Sequence, residues 1–220
     1  DLILESMCEQ LVQLGRTVIH CGIVPTPTVQ FMVHSTEAVG GFIVTASHNP
    51  IEWNGLKFVR EDSTFFHPED CRNLFEIVDK DPLIKPAQEP GIIWQEKNAV
   101  QKHLISCVSL KCISLNRIQR KRFKVVIDSV NGAGSDALPA MLQALGCEVI
   151  ELNCEPNGNF TRGTEPLPEN LVDLSQMVKK LHAHVGFAID PDADRLAIVN
   201  EKGEPLGEEY TIVLAADGYL

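Results

Sequence analysis

The feature that most constrains the fold is an alternation of short apolar runs with amphipathic stretches in the second half of the chain. Runs rich in β-branched residues at 123–128, 148–152 and 185–189 are separated by segments of helical pattern. This order is the β-α-β-α-β unit of a parallel or mixed sheet, because parallel strands need a crossover connection. The sequence therefore predicts a layered α/β fold and argues against a β-sandwich or a helical bundle.

The first half of the chain shows a similar but less regular alternation. Helices are predicted at 3–14, 28–38 and 68–80, and strands at 17–24, 41–45 and 55–59. Three prolines between residues 81 and 91 predict a surface loop or linker. After the second alternation, the pattern predicts a strand at 196–200 and a helix at 208–220. We place the boundary between two domains near residues 100 to 110.

The net charge excludes some classes of binding partner, and the cysteines indicate the cellular compartment. The 220 residues carry 19 Lys and Arg against 30 Asp and Glu, a net charge of −11, which repels nucleic acids and anionic membranes. No stretch approaches the roughly 20 apolar residues of a membrane span. Seven cysteines without CxxC or zinc-ligand spacing are typical of buried thiols in a reducing compartment. We predict a cytoplasmic protein with no nucleic-acid or membrane partner, and leave its oligomeric state open.

The first candidate site is the hexapeptide at 45–50, in which a predicted strand runs into Ser-His-Asn-Pro. Ligands usually bind at the carboxyl ends of strands in α/β sheets, so Ser47 is a candidate nucleophile. The alternative is that its side chain only satisfies backbone groups in a turn. Neighbouring side chains in an extended backbone point to opposite faces, so His48 is not expected to act as a base for Ser47. A serine hydrolase is therefore disfavoured, and the G-x-S-x-G pattern is absent.

The second candidate site is the sequence Asp-Pro-Asp-Ala-Asp-Arg at 190–195, which follows an apolar run. Three carboxylates at i, i+2 and i+4 in a non-helical stretch repel each other unless a cation lies among them. An EF-hand loop needs glycine where this chain has Arg195, and strand-like runs flank the loop, so we reject that interpretation. Asp190, Asp192 and Asp194 are predicted to bind Mg²⁺; the alternative is a solvated acidic turn.

A metal site and a serine at the end of a strand together favour phosphoryl transfer. Phosphate esters are so inert that cationic side chains are needed beside the metal. Arg195 and Lys57 are the best-placed candidates in the sequence. The alternative for Lys57 is an ordinary lysine at a strand edge.

Five segments together resemble one known group of enzymes. They are Thr-Ala-Ser-His-Asn-Pro at 45–50, Trp-Asn-Gly-Leu-Lys-Phe at 53–58, the Asp-x-x-Asn-Gly-Ala-Gly turn at 128–134, Glu-Pro-Leu-Pro-Glu-Asn-Leu at 165–171, and 190–195. In order and spacing they resemble the α-D-phosphohexomutase superfamily, which includes phosphoglucomutase, phosphomannomutase and phosphoglucosamine mutase. The resemblance implies tandem three-layer α/β/α domains with mixed sheets.

The resemblance also implies a catalytic set and a metal set. Ser47 would be the phosphoserine, with His48 beside it, Lys57 assisting proton transfer and Arg195 contacting phosphate. Mg²⁺ would bind an oxygen of phosphorylated Ser47 together with Asp190, Asp192 and Asp194. The substrate would be a hexose phosphate, whose 1-phosphate and 6-phosphate forms interconvert through a bisphosphate intermediate.

Two expectations concern the substrate and the extent of the chain. The segment at 45–50 favours the phosphoglucomutase/phosphomannomutase type, whereas 53–55 and 207–210 are similar to phosphoglucosamine mutases, and a catalytically silent phosphosugar-binding scaffold is a further alternative. We expect domain I, truncated at its N-terminus, at 1–100, domain II at 101–205 and the start of domain III at 206–220. A chain of this extent is expected to turn over hexose phosphates poorly or not at all.

Overall fold

The chain folds into alternating helices and strands, the α/β architecture that the sequence predicts. The computed structural model describes residues 2–49, 52–207 and 209–219. These residues divide into two units. The first unit comprises Asp1–Gly22, Thr28–Ala46 and Ile51–Ala99, and the second comprises Ile23–Pro27, Ser47–Pro50 and Val100–Leu220. Two short segments of the first hundred residues thus belong to the second unit.

The first unit contains two small sheets. Its elements in chain order are α1 (Leu2–Gln13), β1 (Val18–His20), α2 (Thr26–Ser35), β2 (Gly40–Val44), β3 (Leu56–Arg60), α3 (Pro68–Lys80) and β4 (Ile93–Gln95). The first two residues of α2 are assigned to the second unit. Strands β1 and β4 pair in parallel, while β2 and β3 pair antiparallel from Gly40 opposite Arg60 to Val44 opposite Leu56. Helix α3 begins with Pro68 at its first turn, where the missing N–H costs nothing. The Asp70 carboxylate accepts the His67 N–H at that end.

The second unit is built around one sheet of four strands. Its elements are α4 (Ala99–Val108), α5 (Leu115–Lys121), β5 (Lys124–Asp128), α6 (Ala137–Ala144), β6 (Glu148–Leu152), a 3₁₀ turn (Pro168–Asn170), α7 (Val172–Leu181), β7 (Val185–Ile189), β8 (Leu196–Val199) and α8 (Glu209–Tyr219). The strand order is β6-β5-β7-β8. The first three strands are parallel and β8 is antiparallel to β7, so the sheet is mixed.

Apolar side chains cover both faces of this sheet. Because successive strand residues point to opposite faces, Val126 packs with Leu174 and Val178 of α7, whereas Val125 and Ile127 pack in a second cluster that contains Leu142 of α6. The predicted three-layer α/β/α arrangement is therefore confirmed here. Its parallel strands place their carboxyl ends, and hence the loops after Asp128 and Ile189, at one edge.

Several boundaries differ from the sequence prediction. Strand β1 ends at His20 rather than residue 24, because residues 23–27 join the second unit, where the Thr26 N–H donates to the Asp192 carbonyl (2.9 Å). The helix predicted from Pro168 begins with the 3₁₀ turn, and α7 follows from Val172. Elements β4, α4 and α5 lie in stretches for which the sequence predicted no structure.

Candidate active site

Ser47 lies in a turn with an unusual backbone. Three residues beyond the end of β2, its φ is +52°, a left-handed conformation that non-glycine residues rarely adopt. The Ser47 hydroxyl donates to Asp192 Oδ1 (3.3 Å) and lies 3.3 Å from Nδ1 of His48. The expectation that His48 points away from Ser47 is therefore wrong, because it assumed an extended backbone. The turn brings the serine oxygen beside a carboxylate and an imidazole.

The three aspartates form the loop between β7 and β8. One carboxylate oxygen from each of Asp190, Asp192 and Asp194 lies within 4.8 Å of the other two. Asp190 Oδ1 accepts the backbone N–H groups of Asp194 (3.1 Å) and Arg195 (3.0 Å), which folds the loop back on itself through Ala193 at φ +57°. Since antiparallel strands flank the loop, the rejection of an EF-hand is confirmed.

Burial distinguishes the three carboxylates. Asp190 is fully buried, Asp192 is nearly so, and Asp194 is exposed. The Thr26 hydroxyl donates to Asp192 Oδ2 (3.0 Å). A passive solvated acidic turn would leave all three carboxylates in water, so this alternative is wrong for Asp190 and Asp192.

The chemistry of Asp190 fits a divalent cation. Within the described part of the chain, its Oδ2 atom is buried without a hydrogen-bond partner. Burial, followed by the neighbouring charges of Asp192 and Asp194, raises the pKa of Asp190 to about 7. A buried carboxylate oxygen without a partner costs free energy that a cation offsets. Among the described residues, no other group of His, Cys, Asp and Glu side chains offers three such ligands.

A glycine-containing turn packs against the aspartate loop. After β5, the Ala133 N–H donates to the Pro191 carbonyl (2.7 Å). A Cβ atom on Gly132 would overlap the backbone of Pro191, and one on Gly134 would overlap the side chain of Ile189. The turn at 131–134 therefore needs its glycines for close packing against the aspartate loop. In the sequence, this turn is part of one of the five segments that carry the family resemblance.

Three further side chains, none of which the sequence analysis assigned a role, contact the site. Arg162 forms an ion pair with Asp128 (2.8 Å), the Thr164 hydroxyl donates to the His48 carbonyl, and Glu165 forms an ion pair with Arg195 (2.6 Å). Asp128 and Glu165 lie within the segments that carry the family resemblance, and this position could have marked them as site residues. Arg162 and Thr164 lie in a loop of irregular sequence, where no periodicity marks them.

Six of the seven predicted site residues lie together in the second unit. They are Ser47, His48, Asp190, Asp192, Asp194 and Arg195. Lys57 lies on β3 of the first unit, with its Nζ 5.9 Å from the centre of the Phe65 ring. Across the part of the chain that the structure describes, every helix is too short or too polar to cross a lipid bilayer.

Comparison with known proteins places this arrangement in a known class. Residues 1–84 match the model for the α/β/α domain I of phosphoglucomutase/phosphomannomutase, and residues 101–203 match the model for domain II. The solved structure of a phosphoglucomutase/phosphomannomutase family protein from Burkholderia thailandensis superposes with a TM-score of 0.75 at 26% identity. That similarity covers 98% of this chain and 47% of the other.

Curated relatives carry two different substrate names. A phosphoglucomutase/phosphomannomutase from Thermococcus kodakarensis is 34% identical over 100% of this chain and 48% of its own length. A phosphoglucosamine mutase from Methanococcus aeolicus is 35% identical over 92% of this chain and 45% of its own length. The chain spans about half the length of the curated relatives that it matches.

The chain belongs to the phosphoglucomutase/phosphomannomutase family, and thereby to the α-D-phosphohexomutase superfamily. The family resemblance expected from the sequence is confirmed.

Proposed function

We propose that this chain is the part of a phosphohexomutase that carries the phosphoserine and the metal site. One observation carries the proposal: the Ser47 hydroxyl donates to Asp192 (3.3 Å), whose neighbour Asp190 has a buried oxygen without a hydrogen-bond partner among the described residues. A nucleophile beside a cation site is the arrangement that phosphoryl transfer needs, because positioning and charge neutralisation lower most of its barrier.

The metal fits the site as a hard cation with oxygen ligands. Asp190, Asp192 and Asp194 would hold Mg²⁺, together with an oxygen of the phosphorylated Ser47. When bound, the cation supplies positive charge that neutralises the phosphoryl oxygens in transfer. Thr26 fixes the orientation of Asp192 through its hydroxyl (3.0 Å).

The reaction proposed for the complete enzyme moves one phosphoryl group in each direction. In the first transfer, the bond between phosphorus and the Ser47 oxygen breaks and a bond from phosphorus to a free hydroxyl oxygen of a hexose monophosphate forms. The proton of that hydroxyl passes, overall, to the released Ser47 oxygen. After the bisphosphate turns round, its other phosphoryl group returns to Ser47. A hexose 1-phosphate and a hexose 6-phosphate are thereby interconverted, in an isomerisation that needs no external phosphate donor.

The remaining residues have roles in proton transfer and charge. His48 has Nδ1 3.3 Å from the Ser47 oxygen and can exchange a proton with it. Lys57 is proposed to assist proton transfer at the sugar hydroxyl. Arg195 is proposed to contact the substrate phosphate, with Glu165 (2.6 Å) orienting its guanidinium group.

The identity of the hexose is proposed from the sequence and from the relatives. We favour the phosphoglucomutase/phosphomannomutase type because of the segment at 45–50. Phosphoglucosamine mutase is the alternative, supported by the similarity to the Methanococcus aeolicus relative. For the protein as a whole we propose a first domain at 1–100, a second at 101–205 and the start of a third at 206–220.

A half-reaction tests the proposal without requiring full turnover. The chain is incubated with Mg²⁺ and glucose 1,6-bisphosphate or mannose 1,6-bisphosphate, and the peptide containing Ser47 is measured by mass spectrometry. We expect the mass of one phosphoryl group on Ser47, none in Ser47→Ala, and unchanged uptake in the control Ser35→Ala. The phosphorylated chain is then mixed with glucose 6-phosphate, mannose 6-phosphate or glucosamine 6-phosphate, and the loss of the phosphoryl group from Ser47 compares the three sugars as acceptors. A Ser47 that accepts no phosphoryl group from either bisphosphate would support the silent scaffold instead.

A further inference from the structure

Residues 162–165, here named the bridge segment, contact three parts of the candidate active site. The segment lies within the connection between β6 and α7 and has no regular secondary structure. Its contacts run from Arg162 to Ile189, from Thr164 to His48, and from Glu165 to Arg195. Ile189 immediately precedes the first metal ligand and His48 immediately follows the nucleophile. The bridge segment therefore touches both loops that carry the proposed chemistry.

Arg162 anchors the bridge segment to the sheet. Its side chain is 9% exposed and its Nε donates to Asp128 Oδ2 (2.8 Å), whose own side chain is 2% exposed. Its Nη2 donates to the Ile189 carbonyl (2.7 Å). Asp128 is held in turn by the Val130 N–H (2.9 Å). One end of the bridge segment is thus fixed at the carboxyl ends of β5 and β7.

Thr164 extends this anchoring to the Ser47 turn. Its hydroxyl donates to the carbonyl of His48, one residue after Ser47. Ser47 has φ +52°, a conformation that persists for such a residue only where surrounding contacts enforce it. A hydrogen bond to the next carbonyl restrains the peptide group on the carboxyl side of that turn. The conformation of this turn sets the 3.3 Å distance between Ser47 Oγ and Asp192 Oδ1.

We propose that Thr164 is a positioning residue that holds the Ser47 turn in its left-handed conformation at the metal loop. It acts through the His48 carbonyl, and this hydrogen bond involves neither the reacting oxygen nor a carboxylate. Its effect on phosphoryl transfer rests on the function proposed above, whereas its effect on the turn does not. Losing it should loosen the turn. The Asp190 loop is held by the N–H groups that donate to the Asp190 carboxylate and by Arg162 at Ile189, and should keep its affinity for Mg²⁺.

The test compares Thr164→Val, which keeps the shape and removes the donor, with Thr164→Ser, which restores the hydroxyl. The control is Thr36→Val, because Thr36 also donates its hydroxyl to a backbone carbonyl, that of Met32 (2.6 Å), but in the first unit. One neutral hydrogen bond is worth about a five- to tenfold change in a local equilibrium. We therefore expect Thr164→Val to accelerate amide hydrogen exchange at 45–49 about five- to tenfold, and Thr164→Ser and Thr36→Val to leave it near the wild-type rate.

Two further measurements separate positioning from a general structural loss. In Thr164→Val, we expect the Mg²⁺ dissociation constant and the exchange of β5–β8 to stay within about twofold of the wild type, while phosphoryl uptake at Ser47 slows about tenfold. Unchanged exchange at 45–49, failed rescue by Thr164→Ser, or equal acceleration throughout the sheet would each overturn the proposal. If the wild type takes up no phosphoryl group, the proposed function fails, and the exchange comparison still decides the role of Thr164.

Discussion

The two units contain the same kind of ion pair in opposite surroundings. In the second unit, Arg162 and Asp128 are 2.8 Å apart, and their side chains are 9% and 2% exposed. In the first unit, Arg60 and Asp70 are 3.0 Å apart, and their side chains are 35% and 31% exposed. An exposed pair is weakened by solvent, whereas a buried pair cannot lose one partner without leaving a buried charge. Similar geometry therefore supports very different structural roles.

The same difference extends to the hydrophobic residues. Both clusters of buried apolar side chains found among the described residues lie in the second unit, one on each face of its four-stranded sheet. Helix α3 of the first unit has a strongly amphipathic sequence, yet Phe75 is 65% exposed and Val78 is similarly accessible. The rigid positioning that catalysis needs is thus concentrated in the second unit, which also contains the proposed nucleophile and metal ligands.

The largest expected effect comes from breaking the two ion pairs in parallel. Arg162→Met keeps the length of the side chain but leaves the buried Asp128 carboxylate unpaired, so we expect a loss of about 3–5 kcal/mol in the free energy of unfolding. Arg60→Met should cost no more than about 1 kcal/mol, because its pair is solvent-screened. Urea denaturation followed by circular dichroism measures both. Equal losses in the two variants would contradict the contrast between the units.

The next largest effect is expected from truncating a buried apolar side chain in the second unit, compared with an exposed one in the first. Leu174 on α7 is fully buried between helix and sheet, so Leu174→Ala is expected to cost about 2–5 kcal/mol through lost burial and a residual cavity. Phe75→Ala, at an exposed position of α3, should change the free energy of unfolding by no more than about 0.5 kcal/mol. Denaturation midpoints give both values. A costly Phe75→Ala would show that the exposed face of α3 is covered in solution.

Mg²⁺ is expected to stabilise the second unit through the Asp190 loop. At a concentration about 100-fold above its dissociation constant, a ligand adds about 2.7 kcal/mol, which corresponds to a Tm increase of about 5–10 °C for a chain of this size. Asp190→Asn should abolish the increase, whereas Asp79→Asn, on the exposed surface of α3, should preserve it. Thermal melts of each variant in Mg²⁺ and in EDTA measure this increase in Tm. An equal increase in Asp190→Asn would place the cation elsewhere.

A pH-dependent effect is expected in EDTA, without the metal. Burial raises the pKa of Asp190 to about 7, above its ordinary value, so the folded state binds a proton that the unfolded state releases. The contribution of this group is therefore unfavourable above pH 7 and diminishes as the pH falls from about 7 towards 4. The difference in Tm between Asp190→Asn and the wild type should shrink over that range. A difference that is constant with pH would contradict this assignment.

A small effect on stability is expected at Lys57, the one proposed site residue in the first unit. Lys57 is half-buried and its ammonium group lies 5.9 Å from the centre of the Phe65 ring, a contact that is worth about 0.5–1 kcal/mol near the surface. Lys57→Met should therefore unfold almost like the wild type, yet take up phosphoryl groups at Ser47 about 100-fold more slowly if it transfers a proton. Lys80→Met on α3 is the control, and equal uptake by both variants would remove Lys57 from the site.

Local sequence patterns were sufficient to predict much of the fold and the three candidate metal ligands. Strands β5, β6 and β7 were predicted to within a residue, because apolar runs of that length are typical of buried parallel strands. The aspartates at 190–195 were identified as candidate ligands because closely spaced carboxylates after a buried strand repel each other unless a cation lies among them. Strand β4 was missed, since it has three residues, all of them exposed, and gives a weak periodic signal. Helix α4 was missed as well.

The sequence by itself determined the α/β class, the family, Ser47 as candidate nucleophile and the three aspartates as candidate ligands, because these depend on residue types at short spacing. Only the tertiary structure decided which carboxylate is buried, that Thr26 contacts Asp192 across 166 positions, and that Ser47 is left-handed beside His48. Arg162 and Thr164 likewise have no local signature. Their partners are brought near by strand pairing and loop packing, which join residues whose separation along the chain carries no periodic information.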